Sequence, residues 1–184
     1  MKLKPENKII IAPIGSQDAS LINLLGMGIE KSFKYPTESM RLLGDIHFAF
    51  DPARNQYYST VILDRLAEAA PKNAIKIIAV VSKDLFIPIF THVYGEAQLG
   101  GKACIVSIYR IREDCTNTPD LLSSRLLKEA IHELGHTFNL RHCPDDQCIM
   151  HYCRSLKDVD RKTEQFCRYC KIMLSDEISR LGLA

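Results

Sequence analysis

The chain has 184 residues, 46% hydrophobic and 25% charged, with a net charge of +2 at pH 7, a balance that excludes a disordered chain or a fibrous repeat. No run of lysine and arginine forms a nucleic-acid footprint, and the apolar stretch near the start is too short for a signal-peptide core or a membrane span. The length fits one domain, expected in the cytoplasm, where seven cysteines read better as metal ligands than as a disulfide framework.

Lys8 to Ala12 is a short apolar run ended by Pro13 and Gly15, which predicts a strand buried on both faces. From Asp18 to Phe33, Ile22, Leu25, Ile29 and Phe33 recur at helical spacing, with Ser16 or Asp18 as the cap and Gly26 and Gly28 as weak points. A strand is expected near Ile46 to Phe50, then a turn at Asp51-Pro52. Asn55 is expected to open a second helix that places Tyr58, Ile62, Leu66 and Ala69 on one face and stops at Pro71. Ile75 to Val81 predicts another buried strand, and Phe90 to Glu96 and Ala103 to Tyr109 predict two more, separated by Gly100 and Gly101. Pro119 suits the first turn of a third helix to about Asn139, with Leu127, Ile131, Leu134 and Phe138 on its buried side. A cysteine-bearing loop to about Val159 and a last helix to Leu183 follow, with no internal repeat and no phosphate-loop pattern.

The third helix carries His132-Glu133-Leu134-Gly135-His136. Residues four apart share one side of a helix, so His132 and His136 can place imidazole nitrogens on one ion at about 2.0 to 2.1 Å. Leu134 lies about 200° round from His132, so the apolar face packs inward while the histidines face a cleft. A catalytic zinc takes three protein ligands and a water. His142 is the third candidate, and it comes within reach only if the chain turns back after Phe138, which a left-handed Asn139 permits. Glu133, about 100° round from His132, is placed to act on that water. As general base it takes a proton while the water attacks a peptide carbonyl, then hands the proton to the leaving amine. The bland alternative is an exposed helix with chance histidines, and the added Asn139, His142 and downstream Met150 count against it.

Cys143 and Cys148, then Cys167 and Cys170, form two pairs separated by eighteen residues, close to the spacing of a four-thiolate structural zinc. Such an ion ties the loop after the third helix to the last helix, in a region with few apolar residues of its own. Cys153 is the competing ligand, read in preference as a small buried residue. Cys104 and Cys115 are expected in the core or to be incidental. Basic and acidic residues nearly balance between Cys143 and Lys171, which disfavours a nucleic-acid finger.

His132 through His136, Asn139, His142-Cys143, Cys148-Ile149-Met150 and Cys167-x-x-Cys170 together resemble the archaemetzincins, a branch of the metzincin zinc peptidases. Arg54 to Tyr57, Val93 to Ala97 and Ser107 to Arg110 resemble that family as well. The resemblance implies an α+β, metzincin-type zincin fold, with a twisted mixed sheet, a backing helix, an active-site helix and a small zinc-stabilised C-terminal lobe. The chain is then one catalytic domain, with residues 1–139 holding the sheet and active-site helix and 140–184 the methionine turn and structural zinc. It further implies His132, His136 and His142 on a catalytic zinc, Glu133 as general base, and Met150 as the methionine turn beneath the ion. Cys143, Cys148, Cys167 and Cys170 would hold a second, structural zinc, making two zinc ions per chain. Tyr94 to Leu99 resembles the metzincin edge strand that pairs with extended substrate, with Tyr94, Gly95, Glu96 and Ala97 as its contacts; the plainer reading is an ordinary edge strand. Asn139 departs from the glycine usual in the metzincin motif. Tyr152 resembles a tyrosine that ligates zinc in other branches, an exposed loop tyrosine being the simpler account.

The function expected is a zinc-dependent metallopeptidase acting on peptides or unfolded segments, aminopeptidase action included, as a monomer without nucleic-acid or membrane partners. Two other classes stay open at this point: a two-zinc binding or regulatory protein with little or no turnover, and a redox or zinc-storage module built on the thiols.

Overall fold

The computed structural model describes residues 7–115 and 118–183. In chain order β1 (Lys8–Pro13), α1 (Ala19–Phe33) and β2 (Thr37–Ser39) are followed by a 3-10 turn (His47–Ala49), β3 (Phe50–Asp51) and β4 (Gln56–Tyr58). Next come α2 (Ser59–Glu68), β5 (Ala74–Val81), β6 (Leu85–Phe86), β7 (Gly95–Ala97) and β8 (Ala103–Ser107). Four helices complete the order: α3 (Ile108–Ile111), α4 (Pro119–Thr137), α5 (Leu156–Arg161) and α6 (Arg168–Arg180). The main sheet has the order β2-β1-β5-β8-β7, parallel except for β7, which runs antiparallel to β8 at one edge. A small second sheet joins β3, β4 and β6.

The central strands are buried on both faces, as their unbroken apolar runs require. Ile9, Ile11, Ile78 and Val80 pack with α1 and α4 through Phe33, Ile131 and Leu134. Ile10, Ala12, Ile77 and Ala79 pack on the other side with Ile62, Leu63 and Leu66 of α2. Each fully buried isoleucine of this kind contributes roughly 1.5–3 kcal/mol. Among the described residues no helix is long and apolar enough to cross a membrane.

Helix α4 is buried on more sides than its amphipathic sequence predicts. Leu127 is only partly buried, whereas Arg125, Lys128 and Glu129 are buried alongside Ile131, Leu134 and Phe138. The polar members are satisfied rather than stranded. Arg125 makes two bonds of 2.7 Å to the Asp160 carboxylate, and Lys128 caps the end of α5 through the carbonyls of Val159 and Asp160. Lys76 of β5 donates to Thr137 O at 2.6 Å and Gly101 O at 2.7 Å, pinning the far end of α4 to the sheet. Burial lowers its pKa to about 8, and the helix carbonyl it meets is where a cation is favoured.

Five expected elements differ in extent. Near Ile46, Asp45 accepts the His47 amide and winds the chain into a 3-10 turn, so only Phe50 and Asp51 are extended. Asn55 sits at φ 52 in a hairpin turn, and the helix after it begins at Ser59. The strand ending at Glu96 shrinks to Gly95–Ala97 because its partner β8 stops at Ser107, whose amide bond to Tyr94 O is the last of the ladder. Ser107 caps α3 by accepting the Tyr109 amide, which ends β8 before Tyr109. The last helix starts late, at Arg168, and the short α5 lies ahead of it mostly inside the expected loop, because Lys162 turns extended and buries its side chain, and the 163–166 segment binds back to the Gln147 and Ile149 backbone.

Candidate metal centre and catalytic cleft

The end of α4 builds the first site. Asn139 adopts φ 62, its amide donates to His136 O at 2.9 Å, and the Leu140 amide donates to Gly135 O at 3.1 Å. These two bonds are the reversal that a left-handed residue makes at a helix end, and asparagine tolerates that backbone better than most residues. The Gly100 amide also reaches His136 O, at 2.9 Å. The reversal returns His142 over the helix, with its ring centroid 5.3 Å from that of His132 and 4.9 Å from that of His136.

The imidazole tautomers follow from their partners. His132 Nδ1 donates to Ile149 O at 2.9 Å and His136 Nδ1 to Leu140 O at 2.7 Å, since a carbonyl can only accept. Both Nε2 atoms are thereby left with lone pairs, and they face each other at 3.1 Å. Burial lowers the pKa of both rings, so a proton is not favoured between them. Two nitrogens bound tetrahedrally to zinc would lie about 3.3 Å apart. The ligand atoms of His132, His136 and His142 all fall within 4.8 Å of one another, so this donor set fits the ion.

Glu133 lines the same cleft of about 380 Å³ as the three histidines. Burial, with the carboxylates of Glu129 and Glu96 nearby, raises its pKa well above the usual range, and Lys162 opposes that rise. The carboxylate is therefore a stronger proton acceptor than one on the surface. Gly95 is what lets β7 approach it: a β-carbon there would meet Glu133 Cγ at 2.7 Å and Ile105 O at 2.7 Å. Beneath the histidines, Met150 is fully buried, and a β-carbon at Gly135 would collide with its sulfur. The glycine within the histidine motif thus makes room for the methionine.

Of the edge-strand candidates, Tyr94, Gly95 and Ala97 line the cleft. Glu96 does not: within β7 it alternates with Gly95 and Ala97 and turns to the opposite face, where its Oε1 accepts from Thr60 of α2 at 2.8 Å, while Tyr94 precedes the strand. Tyr152 lines the cleft as well, its ring centroid 5.0 Å from that of His142, and is 42% exposed.

The four thiols of Cys143, Cys148, Cys167 and Cys170 also lie within 4.8 Å of one another, with Cys143 Sγ 3.7 Å from Cys167 Sγ. Tetrahedral thiolates on zinc would stand about 3.8 Å apart, so this set fits too. No disulfide joins any of the seven cysteines. Cys153 lies outside the thiol group and on the wall of the histidine cleft, while Cys104 is buried in β8. The two sites share a frame: Cys143 follows His142 directly, and its amide donates to Met150 O at 2.9 Å.

One participant escaped the sequence reading. Lys162, with a side chain 0% exposed, bonds Glu129 Oε1 at 3.0 Å in the wall of the cleft. Glu129 stands one helical turn before Glu133 and was detectable from that spacing; Lys162, in a charged segment, carried no signal. Lys162→Met should leave a buried carboxylate unpaired and destabilise the protein by about 3–5 kcal/mol. Adding Glu129→Gln should recover most of that in denaturant unfolding, and no recovery would mean the pair is not what matters there.

Comparison with known proteins bears on the whole of this arrangement. The model of Peptidase family M54 matches residues 30–176. The archaemetzincin of Pyrococcus abyssi is 35% identical over 182 residues, covering 94% of this chain and 96% of its own. That of Methanopyrus kandleri is 37% identical over 134 residues, 73% of this chain and 74% of its own. The crystal structure of the Methanopyrus kandleri archaemetzincin superposes with a TM-score of 0.83 at 28% identity, covering 96% of this chain and 97% of that one. The Archaeoglobus fulgidus archaemetzincin, crystallised in complex with malonate, gives a TM-score of 0.78 at 33% identity, covering 90% and 99%. The fold is accordingly the mixed α+β architecture of those structures. With sequence and fold in agreement across most of its length, the chain belongs to peptidase family M54, the archaemetzincins, and is a zinc metallopeptidase.

Proposed function

We propose that the chain hydrolyses peptide bonds at the three-histidine cleft, with His132, His136 and His142 holding the catalytic zinc and Glu133 as general base. The observation that carries this is the convergence of the ligand nitrogens of three imidazoles within 4.8 Å of one another, beside a buried carboxylate in one cleft. When bound, zinc supplies a Lewis acid for the peptide carbonyl and lowers the pKa of a water to roughly 7. The protein does the rest. The carbonyls of Ile149 and Leu140 hold two imidazoles in the ligating tautomer, Glu133 takes a proton from the attacking water, and the same carboxyl returns it to the leaving amine. In this reading Tyr94, Gly95 and Ala97 pair with the backbone of an extended peptide, which their position on the cleft wall supports.

The same reading gives Cys143, Cys148, Cys167 and Cys170 a second zinc of structural role, Met150 a supporting role beneath the histidines, and the chain a monomeric state. Residues 1–139 and 140–184 form the two parts of one catalytic domain, and aminopeptidase action is the form of cleavage expected. Zinc measured per chain should be two, falling to about one in His142→Ala as the weakened site empties. That variant should also lose cleavage of a peptide library read by mass spectrometry, in which release of single N-terminal residues marks the aminopeptidase pattern. Two ions retained in His142→Ala would remove the third ligand from the proposal.

A further inference from the structure

A second cleft, larger than the catalytic one at about 980 Å³, opens between α1, α6 and the segment 162–166. Its floor is apolar, formed by Phe33, Phe166 and Leu174, each at most 7% exposed, with the partly buried Leu127 and Ile178 lining it beside them. Its rim is basic. Lys31, Lys34 and Lys171 face it from exposed positions, and none is in an ion pair among the described residues. The two other lysines of its wall are engaged, Lys128 by backbone carbonyls and Lys162 by Glu129. Glu164 is the one carboxylate that lines it among the described residues.

An apolar hollow of this size is filled favourably by hydrocarbon, and three unpaired ammonium groups at its edge select a negative head. We infer that this cleft binds a single-chain amphiphilic anion, a hydrocarbon tail carrying a carboxylate. The chain's own Met1 to Glu6 has the wrong charge for the role, since it brings Lys2 and Lys4 against Glu6 alone. The inference is independent of the catalytic assignment.

Decanoate titrated into the zinc-loaded full chain at low salt, followed by calorimetry, tests it. One saturable site per chain is expected, about tenfold weaker in the triple variant Lys31→Ala, Lys34→Ala, Lys171→Ala. Decylammonium should bind at least about tenfold more weakly than decanoate, by the same charge argument. Ser175→Trp places a large ring in the cleft and should abolish binding while zinc content and melting temperature hold. Absence of saturable binding, or equal affinity for the two head groups, overturns the inference. So does binding that ignores the lysine variants and vanishes in His142→Ala, which would put the carboxylate in the catalytic cleft instead.

Discussion

Glu133→Gln should lower kcat/KM for peptide cleavage by about a thousandfold, the middle of the range general acid–base groups supply, while zinc per chain is unchanged. The amide keeps the shape of the carboxylate between α4 and Gly95 but cannot accept a proton. Stability separates this outcome from simple damage. Burial and the neighbouring carboxylates disfavour a charge at Glu133, so the neutral isostere should leave the melting temperature equal or higher. Glu133→Asp, with its oxygens withdrawn from their position, should retain a small fraction of activity. Cleavage within tenfold of wild type at full zinc content would take the role of base away from Glu133. A loss accompanied by loss of zinc would instead make it a ligand or a scaffold residue.

Much of the site was legible because its logic is local. His132 and His136 follow from helical periodicity, and Asn139 signals the reversal because few side chains accept its backbone. The cysteine pairs are a matter of spacing. What stayed hidden depends on contacts distant in sequence. Lys76 lies in the middle of an apolar strand, yet its ammonium secures the end of α4, 61 residues away. Gly95 and Gly135 matter for what would collide with them, Glu133 and Met150, and no pattern around either glycine announces that. Strand ends depart from the sequence pattern for a related reason: β7 is as long as β8 allows, and β8 ends where Ser107 prefers to cap a helix.

The dependence of the catalytic cleft on the thiol site makes the second large effect. Cys167→Ser should reduce zinc to about one per chain. Even a third of the roughly 10–16 kcal/mol that zinc contributes in isolated modules is about 3–5 kcal/mol. At about 2–4 °C per kcal/mol for a chain of this size, the melting temperature should fall by about 10 °C. Cleavage should fall with it, although Cys167 lines no part of the histidine cleft. The route is short and covalent: Cys143 is bonded to His142 along the chain, its amide holds Met150 O, and the next carbonyl back, Ile149 O, fixes the tautomer of His132. Releasing Cys143 from its partner Cys167 loosens all three at once. Because the other face of the main sheet packs on α2 through a core that contains none of the residues of the thiol lobe, hydrogen exchange should accelerate in residues 142–151 and 162–170 and stay slow in the sheet. A variant that loses one zinc but cleaves at the wild-type rate would show that the thiol site steadies the protein without holding the histidines.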